Sequence, residues 1–155
     1  MNKFNFFEWL TTTPWANMMN GAEWVFPVVQ SLHFIGFALS IGTIVIVDLR
    51  LLGFGMKKQS ASDLAADLRR WTLAGICLML VTGFLMFSAD AAIYHVNPSF
   101  RVKMTVLTIA LLFHFTIHRM VVRPNASAAF AKIAAVVSLV LWISVVGAGR
   151  FIAFT

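Results

Sequence analysis

Four apolar runs, each near the length of a membrane-spanning helix, dominate this sequence and leave few folds open to it. They cover about residues 24–47, 71–93, 102–122 and 126–150. Crossing roughly 30 Å of hydrocarbon at 1.5 Å per residue takes about 20 residues. A backbone in lipid has no water to bond, so a spanning segment of this kind is a helix. The expected fold is therefore all-α: an integral membrane four-helix bundle forming a single transmembrane domain over residues 1–155. Composition points the same way, with 60% of residues apolar and 12% charged. Soluble domains are about half apolar and about a quarter charged. The same figures exclude a disordered chain, which needs low hydrophobicity and high charge. The single cysteine, Cys77, excludes intramolecular disulfides, four-thiolate iron–sulfur clusters and c-type haem attachment.

A net charge of +6 raises the question of nucleic acid. The basic residues fall beside the apolar runs rather than along one polar stripe, so nucleic acid is not an expected partner and membrane lipid is. Arg50, Lys57, Lys58, Arg69 and Arg70 lie between the first two spans, and Arg119, Arg123 and Lys132 between the last two. The opposite side holds Lys3, Arg101, Lys103 and Arg150. Positive-inside bias then places the first and third linkers in the cytoplasm and both termini outside. The expected location is the bacterial inner membrane, multi-pass, with N-out and C-out topology.

Residues 1–23 lack the charged start, apolar core and small-residue site of a cleaved signal peptide. Phe4, Phe6, Phe7, Trp9, Leu10 and Trp15 instead suggest a short interfacial N-terminal helix. Thr13-Pro14 reads as an N-cap followed by proline at the first helical position.

Polar groups inside a membrane are costly to hold, so function is sought among them. His33 falls within the first span, and His114 and His118 within the third. A neutral imidazole offers one lone pair and one N–H, so it can ligate a metal or relay a proton. His114 and His118 are four residues apart and share one helix face. They cannot flank one iron, so a bis-histidine haem would pair His33 with one of them. With spans centred near Gly36 and Leu112, His33 is offset from His114 by ~8 Å in depth and from His118 by ~14 Å. Depth favours His114. Gly36, one turn after His33, would let a macrocycle or a second helix approach. Arg101, Lys103, Arg119 and Arg150 are candidate partners for propionates or anionic substrates, or interface anchors. Asp48 and Arg50 read as structural, pairing with each other or across helices. The eight methionines fit packing better than a copper site, which needs clustered thioethers.

Several strings carry a resemblance. They are Ser31-Leu32-His33-Phe34-Ile35-Gly36, Val47-Asp48-Leu49-Arg50-Leu51-Leu52-Gly53, Asn97-Pro98-Ser99-Phe100 through Lys103, His118-Arg119, and Ala148-Gly149-Arg150-Phe151-Ile152-Ala153. Over nearly the whole chain they resemble an uncharacterised bacterial family of small four-span membrane proteins. The nearer resemblance singles out His118-Arg119. A more distant likeness is to haem-associated four-span proteins of the HemJ type, the membrane protoporphyrinogen oxidases, and the CopD type. In the former a histidine early in one span and a lysine opening a later span matter, and His33 and Lys103 look like their counterparts.

The expected function is that of a b-type haem protein, with spans one and three clamping the macrocycle through His33 and either His114 or His118. It would pass electrons between a quinone or periplasmic redox partner and an acceptor, or oxidise a tetrapyrrole with Lys103 holding a propionate. The alternatives are a small transporter or proton-coupled channel working as a homo-oligomer, with the histidines as a relay, and a structural subunit of a larger membrane complex.

Overall fold

The computed structural model describes residues 5–55, 58–123 and 126–152. Lys3, Phe4, Lys57 and Ala153, used in the charge, interface and motif readings, lie outside them. The chain is all-α, and four of its helical segments are long and apolar enough to cross a membrane: Val25–Leu51, Ala61–Ala89, Pro98–Val121 and Ala128–Phe151. Short helices α1 (Phe6–Thr11) and α2 (Pro14–Gly21) precede the long helices α3 (Val25–Leu51) and α4 (Ala61–Ala89). One turn, α5 (Ala91–Tyr94), leads to α6 (Pro98–Phe113). That helix continues through a π-helical turn, His114–His118, into α7 (Arg119–Val121), and α8 (Ala128–Phe151) closes the bundle.

Helix starts follow local chemistry. Asn97 accepts from the Phe100 N–H at 3.0 Å, with Pro98 at the first helical position, which leaves no orphan donor where proline has none. Ser60 caps α4 by accepting from the Asp63 N–H. This cap sits eleven residues before the expected span, so the polar segment Asp63–Arg70 is the first part of α4. Leu64 is buried there, which anchors the extension. At the other end α4 stops at Ala89, short of the expected residue 93. Thr13 and Pro14 do open α2, although the Thr13 hydroxyl donates backwards to the Leu10 carbonyl rather than capping.

Helices α3 and α4 meet backbone to backbone. A Cβ placed on Gly75 would stand 2.5 Å from the Ser40 nitrogen and 2.8 Å from the Gly36 carbonyl oxygen. Small residues permit such approach where lipid removes any hydrophobic drive between helices. The central core joins Ile44, Met79, Leu107, Ala110, Trp142 and Val145 from all four spans. At one end α1 and α2 lie against the turn between α4 and α6. Asn20 donates to the Ala89 carbonyl at 3.1 Å, and the Phe7 ring stacks on His95 with centroids 4.1 Å apart. This is the His95 end of the bundle; the opposite end carries Asp48.

Candidate functional site

The long helices sort the intramembrane polar groups into two clusters. One lies towards the His95 end. There the His33 Nδ1 stands 3.0 Å from the Thr82 hydroxyl of α4. Thr82 already donates its one proton to the Leu78 carbonyl at 2.6 Å. The oxygen can therefore only accept from His33, so Nδ1 carries the proton and Nε2 carries the bare lone pair. Gly83 lies beside the same ring: a Cβ there would stand 3.2 Å from His33 Cε1. Lys103 is half-buried and its stem runs along Gly149 of α8, whose missing Cβ would stand 3.5 Å from Lys103 Cε. His33 in α3 and Lys103 in α6 thus both lie towards the His95 end of the bundle.

The second cluster lies towards the opposite end. His118 is 4% exposed and Asp48 is fully buried. The His118 Nε2 donates to Asp48 Oδ1 at 2.7 Å, linking the third span to the first. The His114 ring stacks on His118 with centroids 5.1 Å apart. His114 Nδ1 and Asp48 Oδ2 are both buried without a hydrogen-bond partner. Such a run of Asp and His within a membrane is able to pass a proton. A cavity of about 320 Å³ adjoins the two rings and is also lined by Arg69, Arg119 and Arg123. The π-helical turn spans His114–His118; insertions of this kind concentrate at functional sites.

These positions correct several expectations. Fifteen residues of α3 separate His33 from Asp48, roughly 22 Å along the axis. His118 is held at the level of Asp48, and His114 stacks beside it. Two imidazoles on one iron, at metal–nitrogen bonds of about 2 Å, hold their nitrogens about 4 Å apart. The structure does not bring His33 and either histidine of the third span to such a point. The depth estimate failed because both helices extend beyond the apolar runs. With α3 ending at Leu51 and the third span opening at Pro98, His33 and His114 separate by ~14 Å in depth, not ~8 Å. Gly36 faces α4: a Cβ on it would stand 2.8 Å from the Met79 nitrogen, so its open side is filled by a helix and leaves no place for a macrocycle. Arg119 belongs to the second cluster.

Asp48 was missed as a site residue. Of the two pairings open to it as a structural residue, the one across helices forms, to His118, while the Arg50 Nε donates to the Gln59 carbonyl at 2.7 Å. The available signal was an acid inside an otherwise apolar helix with a histidine in a facing span.

Comparison with curated proteins finds no match, and comparison with solved structures finds none. A family model described as "Family of unknown function (DUF6644)" matches residues 6–155. That match spans nearly the entire sequence, and the chain belongs to the DUF6644 family.

Proposed function

We propose that this chain is a b-type haem membrane protein whose iron ligand is the Nε2 of His33, with Lys103 as the cation for a propionate. The observation carrying this reading is the Thr82 contact. It fixes the ring orientation and leaves the ligating nitrogen bare, as the second-shell partners of metal-bound histidines do. His118 fits the role less well, because its Nε2 is engaged by Asp48. His33 is half-buried, while its neighbours Leu32 and Phe34 are exposed on an apolar surface, which suits the apolar body of a macrocycle. The distant likeness to HemJ-type proteins, in which such a histidine and lysine matter, points to the same pair of residues.

A haem held there supplies one-electron chemistry. The chain's own residues set its surroundings. Thr82 holds the imidazole tautomer, Lys103 adds positive charge beside it, and the α3–α4 contact keeps the two elements in register. The working partners in this reading are a quinone or a periplasmic redox protein, with the termini on the outer face of the bacterial inner membrane. The test is a titration of haem-free protein in mild detergent with ferric haem. One haem per chain with a Soret band is expected, together with weaker binding in Lys103→Ala. Absence of saturable binding in the wild-type chain contradicts the proposal.

A further inference from the structure

We propose that the cavity beside the Asp48–His118 pair is a binding site for a phosphate-type anion, distinct from the His33 site and independent of haem. Three arginines line it from two directions: Arg69 from the first part of α4, and Arg119 and Arg123 from the end of the third span. The side chains of these arginines make no ion pair or hydrogen bond with any described residue. The lining has no carboxylate to balance them. Asp48, bonded to the lining residue His118, is fully buried, and Asp63 on α4 is bonded to Ser60.

Snorkelling anchors point outward and apart. These three instead share one concave surface with two imidazoles, and they leave its positive charge unmatched. Planar guanidiniums bind phosphate through paired N–H donors, and basic pockets between spanning helices recognise lipid headgroups. A volume of about 320 Å³ is at the lower end of small-molecule sites, which suits a headgroup or a small phosphate and not a larger ligand. The rest of the wall mixes hydroxyls, among them Ser62, with apolar side chains such as Ile44, Leu73 and Phe115, so it can also accept the first carbons attached to the anion. The cavity interior holds a second independent sign. His114 Nδ1 is buried and unpartnered, in a residue that lines the cavity, and a neutral imidazole with its one proton on that nitrogen is able to donate to an anion.

Two sources carry this chemistry, an anionic phospholipid and a soluble phosphate. The experiment separates them by thermal midpoint in detergent. Purified protein is measured with phosphatidylglycerol against phosphatidylcholine in mixed micelles, and separately with inorganic phosphate against chloride at equal ionic strength. The expected result is a rise in midpoint with phosphatidylglycerol or with inorganic phosphate. In Arg69→Gln/Arg123→Gln the half-saturating concentration should rise about ten-fold or more. Both residues are exposed, so the variant is expected to fold, and Arg101→Gln at the other end serves as the control that keeps the response. A response to the lipid alone assigns the site to a headgroup, and a response to free phosphate assigns it to a soluble ligand. No rise with either anion, or an equal rise in the double variant, overturns the proposal.

Discussion

Thr82 gives its only proton to the Leu78 carbonyl, and this leaves its oxygen as an acceptor for His33. Thr82→Val keeps the shape but strands the His33 N–H. The expected loss is about 1–3 kcal/mol for an unsatisfied, partly buried donor, seen as a lower thermal midpoint in detergent. Thr82→Ser, which keeps both bonds, should stay close to wild type; equal stability of the Val and Ser variants would contradict the tautomer assignment. At the other cluster, Asp48→Leu removes the acceptor of His118 and should cost about 3–5 kcal/mol, as breaking one side of a buried pair does. Adding His118→Leu should restore part of that loss, because the stranded imidazole goes with it. A double variant whose loss is the plain sum would show that the two side chains do not interact. His33 was legible in the sequence as a polar residue inside an apolar run. Asp48 was legible only as a structural acid, since Arg50 two positions on and a facing helix are equal candidates until α3 is placed against the third span.

Among elements, the number and rough extent of the spans were legible because each is an unbroken apolar run. What was not legible has local causes. The Ser60 cap carries α4 through charged residues that look like linker. The π-helical turn has no composition signal of its own in His114-Phe115-Thr116-Ile117-His118. The glycines of α3 and α4 look alike in sequence, and the structure divides them. Gly75→Ala should separate α3 from α4 and cost about 1–3 kcal/mol, the usual range for overpacking. Gly42 has nothing within 4 Å of its missing Cβ, so Gly42→Ala should be neutral or gain up to about 1 kcal/mol from helix propensity. Unfolding by denaturing detergent, compared across the two variants, reads the difference; equal effects would mean the α3–α4 contact does not control stability.

For the whole molecule, four spans with cations gathered at the Asp48 end give an orientation that can be measured. In a Cys77→Ser background, Glu23→Cys should react with a membrane-impermeant maleimide in intact spheroplasts, and Ser60→Cys only after lysis. The reverse pattern would place the arginine-lined cavity outside and overturn the positive-inside assignment. The two clusters are themselves a whole-molecule property. One helix, α3, carries His33 near one end and Asp48 near the other, and the sequence could not show that the third-span histidines side with Asp48. The most direct measurement of the account is therefore the absorption spectrum of protein purified from haem-replete cells, oxidised and then reduced with dithionite, across three variants. The account predicts a Soret band that moves on reduction, is lost in His33→Ala, and persists in His114→Ala and His118→Ala. A band that survives His33→Ala, or that disappears with His118→Ala alone, would contradict it.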